Sequence, residues 1–200
     1  QVVSSVRVEP AFRFFVLPVW CAAKDGCLMA VIEAIATTYL EADAASVTFD
    51  DIPSTYEHLQ LRISMRDATA DAFESLYLQL GDSGHSPVDT GTNYARHYLY
   101  AYTTSAYAAG QMTQNDIWLG KVAASGSPAA EYGSMIIDVL DYANSNKNTT
   151  IMALNNGLPE SISFRSGLWD DTSVVNAIRM VADSNFVRGS EFTLYGLNSS

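Results

Sequence analysis

The segment from His58 to Met65 (HLQLRISM) is the feature that most restricts what this chain can fold into. Apolar residues, among them Leu59, Leu61 and Ile63, alternate with polar residues along its whole length. A period of two places the apolar side chains on one face of a β-strand and would scatter them around a helix. We therefore predict a half-buried strand whose sheet covers a hydrophobic core.

Short segments of similar character recur along the chain and are separated by turn-forming residues. Turn signals include Ser-Gly at 125–126, Asn-Asn-Gly at 155–157 and Arg-Gly-Ser at 188–190. The predicted strands are Ser46–Ile52, His58–Met65, Ser75–Leu80, Arg96–Thr103, Asp116–Val122, Tyr132–Tyr142, Thr149–Asn155, Ser161–Leu168, Asn176–Ala182 and Glu191–Leu197. Many short strands of this kind predict an all-β fold, a jelly-roll-like antiparallel β-sandwich with an N-terminal arm.

The segment Ala30 to Ala45 (AVIEAIATTYLEADAA) fits two kinds of secondary structure. Its composition and the spacing of Ile32, Ile35 and Tyr39 are typical of a helix. The threonine pair at 37–38 is β-branched and favours an extended backbone. We predict a strand here.

Residues 1–28 form a leader that we interpret as an arm contacting a neighbouring subunit. Its apolar stretch at 11–23 (AFRFFVLPVWCAA) is shorter than the ~20 apolar residues that a membrane span needs, and Arg13 and Pro18 interrupt it. The candidate interface residues of the arm are Phe14, Phe15 and Trp20.

Residues 29–200 are predicted to form one β-sandwich domain, because no linker-like composition divides them. Both cysteines, Cys21 and Cys27, lie in the leader. Two thiols alone cannot build a structural zinc site, so we expect either free cysteines, which we favour, or a small local disulfide.

The charge balance limits the partners that the chain can bind. It carries 22 acidic and 11 basic residues, a formal net charge of −11, with no basic cluster. This argues against nucleic acid and against an anionic membrane surface. Charged residues make up only 16% of the chain, which indicates either a surface that meets other protein or simply an aromatic-rich core.

Patterns that could carry chemistry are better explained as turns and loops. Residues 81–84 spell GDSG, as around a protease nucleophile, but none of the three histidines has the matching context. The adjacent acid pairs at 50–51 and 170–171 point to opposite faces of a strand, and only a pairing between the two pairs stays open. The oxygen-rich loop 81–94 lacks EF-hand spacing, although a bound divalent ion remains an alternative to a plain connection. We predict no enzyme activity and no cofactor, and we assign no catalytic or metal-binding residues.

The segment at 94–107 (YARHYLYAYTTSAY) is the richest in aromatic residues. In a strand, Tyr94, Tyr98, Tyr100 and Tyr102 share one face with Arg96. Such a row could stack sugar rings or form a subunit interface. We favour the interface and take the four tyrosines as its candidate residues.

Two longer stretches resemble a group of tailed-bacteriophage virion structural proteins. The first runs from Ile35 to Arg66 (IATTYLEADAASVTFDDIPSTYEHLQLRISMR), and the second from Val175 to Leu197 (VNAIRMVADSNFVRGSEFTLYGL). The residues that match the closing pattern of the group are Ile178, Asn185, Phe186, Gly189, Ser190, Phe192, Leu194, Tyr195 and Gly196. The resemblance covers residues 31–197 and leaves the leader outside it.

The resemblance implies a structural subunit of the virion that acts through contacts rather than chemistry. Within that group we favour a capsid decoration (cement) protein, a homotrimer that binds the major capsid protein or other virion subunits. The alternative is a tail or fibre-associated component that binds a receptor or a glycan. Neither role requires nucleic acid or a membrane as partner.

Overall fold

The computed structural model describes residues 31–157 and 161–198, which contain twelve β-strands and no helix. The strands are β1 Val31–Tyr39, β2 Ala44–Phe49, β3 His58–Met65, β4 Phe73–Gly81, β5 Tyr94–Tyr102, β6 Ser105–Gln114, β7 Ile117–Ala123, β8 Gly133–Leu140, β9 Thr149–Gly157, β10 Ser161–Trp169, β11 Ala177–Phe186 and β12 Glu191–Asn198. The predicted arm, residues 1–28, lies outside the described residues.

The strands form two antiparallel sheets. Sheet A has eight strands in the order β1-β12-β3-β8-β9-β10-β5-β6, and sheet B has four in the order β2-β11-β4-β7. Every pairing in both sheets is antiparallel. The all-β class and the packing of two antiparallel sheets as a sandwich are confirmed, while jelly-roll connectivity stays a prediction.

The hydrophobic core lies between the inward faces of the two sheets. Leu59 and Leu61 of β3 in sheet A and Leu76 and Leu78 of β4 in sheet B are all fully buried in it. Period-two alternation explains this, because every second side chain of a strand points to the same face. The alternation of β3 therefore predicted both its bounds and its buried face.

The ambiguous segment at 30–45 is a strand, as predicted. β1 pairs with β12 from Val31, opposite Asn198, to Tyr39, opposite Glu191. It is an edge strand of sheet A and most of its side chains are exposed. The helix-like spacing of its apolar residues therefore does not correspond to a buried helix face. Pairing with β12 holds the segment in the extended conformation.

Strand β6, Ser105–Gln114, was not predicted from the sequence. Apart from Tyr107 and Met112, its residues (SAYAAGQMTQ) are small or polar, and nine of the ten are exposed. A strand without a buried face has no reason to show apolar alternation, so the usual signal is missing. Its pairing with β5 in a tight hairpin holds it in the sheet.

Sheet A is wider than sheet B, and its β5–β6 side extends past the smaller sheet. Strand β7 forms one edge of sheet B and packs against β9, β10 and β5 of sheet A. Beyond this edge, the inward-facing side of β5 and β10 is not covered by another strand of sheet B. A recess therefore forms where the overhanging strands of sheet A meet β7.

Candidate functional site

The first member of the predicted tyrosine row, Tyr94, packs inside the protein. Its side chain is 1% exposed. Its hydroxyl lies 3.0 Å from the carbonyl oxygens of Leu80 and Asp89 and 3.0 Å from the amide nitrogen of Leu80. Tyr94 is thus a hydrogen-bonded core residue rather than part of a subunit contact, because sheet B covers this end of β5.

The next tyrosines of the row surround a tryptophan of the other sheet. Tyr98 and Tyr100 are half-buried, and their ring centres lie 5.2 and 6.5 Å from that of Trp118 in β7. Tyr107 of β6 stacks on Tyr100 at 4.8 Å. The row therefore faces the inner side of sheet A, towards the edge of sheet B, and not the open outer side.

Arg165 of β10 lies at the centre of this aromatic cluster. Its guanidinium carbon is 3.9 Å from the centre of the Trp118 ring, 4.9 Å from Tyr98 and 5.3 Å from Tyr100. The side chain is only 2% exposed. Burial lowers the pKa of the Arg165 guanidinium to about 10, and the nearby tyrosines act in the opposite direction.

A cavity of about 240 Å³ opens beside Arg165, between the overhang of sheet A and the edge of sheet B. Its lining residues are Phe73, Tyr100, Tyr102, Trp118, Lys121, Ser161, Ser163 and Arg165. Four of these eight are aromatic, and within the described chain no acidic residue contributes to the lining. The cavity thus combines aromatic walls with a buried positive charge.

Several buried polar atoms at the cavity have no hydrogen-bond partner in the described chain. They include the indole nitrogen of Trp118, the hydroxyl of Ser163, and Nε and Nη1 of Arg165. The Oδ1 atom of the neighbouring Asn155 is also without a partner. Buried polar groups in folded proteins are nearly always hydrogen-bonded, so a cluster of exceptions marks this place as unusual.

The backbone of Gly120 lies close to Asn155, Ser163 and Arg165 and leaves no room for a side chain. Its φ is +120°, a conformation that favours glycine. A Cβ atom here would lie 2.4 Å from the Asn155 amide nitrogen and 2.8 Å from the Ser163 hydroxyl. Glycine therefore allows β7 to approach β9 and β10 closely enough to bring Trp118 over Arg165.

In an ordinary strand of a β-sandwich, apolar side chains point inward and polar side chains point outward. Part of strand β10 has the reverse arrangement. Ser163 and Arg165 point inward and are buried, whereas Ile162 and Phe164 point outward and are exposed. Isolated apolar residues on a surface are normal, but a strand with this inverted pattern is not. Both the recess on the inner side and an apolar surface on the outer side follow from it.

The outward apolar residues form a continuous row across four strands of sheet A. Ile136 of β8 lies opposite Leu154 of β9, Leu154 opposite Phe164 of β10, and Phe164 opposite Leu99 of β5. Their exposed fractions lie between 44% and 56%. We call this row, together with the exposed neighbours Met152 and Ile162, the outer apolar face.

Strand β6 continues this surface to the edge of the sheet. Ala108 lies opposite Leu99 and extends the row by one more strand. The sequence of β6 holds no charged residue and no proline, the features that usually protect an edge strand from pairing with another chain. The outer apolar face and the β6 edge together form a broad uncharged surface.

The remaining sequence motifs serve the fold. The GDSG turn is confirmed: Asp82 accepts a hydrogen bond from the Gly84 amide at 2.8 Å. The loop that follows is anchored at the buried Asp89, which accepts hydrogen bonds from the indole of Trp169 at 2.9 Å and the side chain of Asn93 at 2.6 Å. This part of the loop is fixed to the core rather than fully exposed.

One acidic pair was not noticed in the sequence. Burial, and then a hydrogen bond to Asp183, raises the pKa of the Glu74 carboxyl, while the Ser75 amide acts to lower it. Glu74 lies in β4 and Asp183 in β11, neighbouring strands of sheet B. Asp183 lines a separate cavity, whose other residues include Asp116 and Arg179.

Most of the residues that build the recess could not be predicted from the sequence. Trp118 and Arg165 lie in two separately predicted strands, and an arginine in a strand is normally expected on the surface. Phe14, Phe15 and Trp20, the predicted contact residues of the arm, lie outside the described residues. Of the predicted tyrosine row, only Tyr100 and Tyr102 line the cavity.

Comparison with known proteins leaves the chain without an assigned family. No protein-family model matches it, and no curated protein matches it either. Within residues 31–157 and 161–198, no helix has the length and apolar character needed to cross a membrane. In the same residues, no group of three or more His, Cys, Asp or Glu side chains could hold a metal ion.

Proposed function

We propose that this protein is a structural subunit that works by packing against other protein subunits through the outer apolar face. The observation that supports this best is the row Ile136, Leu154, Phe164 and Leu99, which crosses four strands without a charged residue. Contiguous exposed apolar surface on a soluble domain is typical of a protein interface.

The energetics agree with a contact of this type. Covering apolar surface stabilises an association by roughly 25 cal/mol per Å². Leucine, isoleucine and phenylalanine side chains that remain about half exposed in the single chain leave a large area to cover. They lie on the same face of one sheet, where a single partner surface can contact all of them.

On the sequence resemblance, we further propose that the assembly is the virion of a tailed bacteriophage. The finer role is that of a capsid decoration protein, a homotrimer that binds the major capsid protein and uses no catalytic step. The resemblance at residues 35–66 and 175–197 supports the virion, and the outer apolar face supports the contact between copies of the chain in the trimer.

A capsid-binding measurement tests this role. The full chain is mixed with empty capsids built from the major capsid protein of the same virus, and co-sedimentation is followed to saturation. We expect binding at a fixed stoichiometry, reduced at least tenfold by Leu154→Lys. The control is Ile32→Lys, which places the same charge at an equally exposed position in the edge strand β1. Saturation unaffected by Leu154→Lys, or absent altogether, would contradict the role.

A second candidate function, recognition of a receptor or glycan by a tail or fibre component, is favoured by the aromatic recess. Tyr100, Tyr102 and Trp118 line a cavity of about 240 Å³ in which a ring could stack. If this is the function, the protein binds saccharide in the absence of capsids. In this case too, the outer apolar face would hold the copies of the subunit together.

A further inference from the structure

We propose that the cavity beside Arg165 is a binding site for a small ring-shaped carboxylate. This inference does not depend on the subunit role, because it concerns the inner side of the overhang and not the outer apolar face. It rests on the buried guanidinium, the unpaired donors and the aromatic walls.

The buried arginine needs an anion that the described chain does not supply. Arg165 is 2% exposed, and no carboxylate of the described residues forms an ion pair with it. The other strongly buried arginine, Arg66, shows what a structural role looks like. It donates hydrogen bonds to the carbonyl oxygens of Ser127, Pro128 and Glu131 at 2.7 to 2.9 Å. Among the described residues, Arg165 has no such set of acceptors.

The unpaired groups that line the cavity can all donate hydrogen bonds, whereas the unpaired Oδ1 atom of Asn155, an acceptor, belongs to a residue outside the lining. Trp118 presents an indole N–H, Arg165 presents Nε–H and Nη1–H groups, and Ser163 presents a hydroxyl. All three residues line the cavity. Since an indole and a guanidinium cannot accept hydrogen bonds, a ligand that satisfies them must bring acceptor oxygens. Guanidinium and carboxylate groups match each other well in both charge and geometry.

The charge of the site favours a single negative charge on the ligand. Lys121 also lines the cavity, but its side chain is exposed and acts on the Glu74 carboxyl. One buried positive charge therefore faces the ligand. A carboxylate balances it, whereas a phosphate dianion would leave an unpaired negative charge in a poorly solvated place.

The aromatic walls of the cavity favour a ligand that contains a ring. Phe73 and Tyr102 lie edge to face at 6.4 Å, and Tyr100 and Trp118 continue the aromatic lining towards Arg165. Aromatic faces bind flat or ring-shaped groups. The cavity, at about 240 Å³, is smaller than the ~300–1,000 Å³ of typical small-molecule sites, so it suits one ring rather than a chain of rings. A sugar acid and an aromatic acid share this chemistry.

The test is a calorimetric titration of the full chain with matched pairs of ligands. D-Glucuronate is compared with D-glucose, and benzoate with benzamide, so that each pair differs in the carboxylate. We expect at least one carboxylate to bind once per chain, at least tenfold more tightly than its neutral counterpart and than inorganic phosphate. Preference for glucuronate identifies a sugar acid, and preference for benzoate identifies an aromatic acid.

Variants assign the binding to the cavity. Arg165→Met is expected to weaken carboxylate binding at least tenfold, and Ser163→Ala to weaken it severalfold with little structural change. The matched control is Arg62→Met, because Arg62 also lies over a tyrosine, 5.0 Å from the Tyr195 ring, but on the outer side. Its removal should leave binding unchanged.

Two results would overturn the proposal. The first is failure of both carboxylates to bind at millimolar concentration, or phosphate binding as tightly as either. The second is undiminished binding in both Arg165→Met and Ser163→Ala.

Discussion

Trp118 and Arg165 belong to different sheets, yet the Arg165 guanidinium carbon lies 3.9 Å from the centre of the Trp118 ring. The contact forms because β7 is the edge strand of sheet B and faces the overhanging strands of sheet A. A cation over an aromatic face is stabilised, but the N–H groups in the plane of the guanidinium still need acceptors. The contact between Trp118 and Arg165 forms part of the wall of the proposed ligand site.

Replacing the buried arginine should not damage the fold. We expect Arg165→Met to raise the free energy of unfolding by about 1 kcal/mol, because it removes buried donors that have no acceptor, and lost ring contacts offset part of that gain. Urea denaturation followed by circular dichroism measures the change. Arg62→Met, at an exposed position, should shift it by less than ~0.5 kcal/mol. A loss of several kcal/mol in Arg165→Met would show that the arginine is a structural residue.

The close approach at Gly120 should tolerate no side chain. We expect Gly120→Ala to lower the free energy of unfolding by at least ~1–3 kcal/mol, because φ is +120° and the new Cβ would meet Asn155 at 2.4 Å. The matched control is Gly84→Ala, whose nearest neighbour is the movable Asp82 carboxylate at 3.2 Å. Equal effects of the two substitutions in thermal denaturation would be inconsistent with the described geometry.

The buried hydroxyl of Tyr94 should contribute to stability. Tyr94→Phe leaves the Leu80 amide and two carbonyl oxygens without this partner, and we expect a loss of about 1–3 kcal/mol. The exposed Tyr107→Phe provides the comparison, with an expected change below ~0.5 kcal/mol. Chemical denaturation of both variants in parallel decides the point. A Tyr94→Phe protein as stable as wild type would argue that the hydroxyl is not buried in this way.

The Glu74 carboxyl should make stability depend on pH. Its pKa is raised in the folded protein, so the fold holds this proton more tightly than the unfolded chain does. Its stabilising contribution is complete below the ordinary pKa of 4.5 and is lost as the pH rises through the higher folded value. We expect the stability of Glu74→Gln relative to wild type to increase as the pH rises above 4.5.

Urea titrations at a series of pH values test this expectation. The control is Glu41→Gln, which removes the same charge at an exposed site where the side chain is 77% accessible. A difference between Glu74→Gln and wild type that does not change with pH, or that changes as it does for Glu41→Gln, would contradict the raised pKa.

Alternation in the sequence predicted the strands that have one buried face, and it missed β6, which has none. The alternation of β3 predicted where this strand begins and ends, because its apolar residues, Leu59 and Leu61 among them, face the core. Strand β6 is exposed on nearly every residue, so nothing in its composition distinguished it from a loop. The bounds of other strands differed by a few residues, since pairing rather than composition ends a strand.

The candidate sites were only partly predictable for a related reason. Alternation correctly placed Tyr98 and Tyr100 on one face, but which face lies inward depends on the other sheet. In β10 the polar Ser163 and Arg165 are buried and Phe164 is exposed, the reverse of what a binary pattern implies. Only the register of β8, β9, β10 and β5 shows that Leu154 and Phe164 belong to one row.

The proposal that the outer apolar face holds subunits together is tested most directly by the mass of the protein in solution. Light scattering on the wild-type chain should give an oligomer, three times the chain mass for the trimer. Phe164→Lys should shift it towards the monomer, and Ile32→Lys should not. A wild-type protein that stays monomeric at high concentration, or a Phe164→Lys protein that assembles as wild type does, would contradict the account.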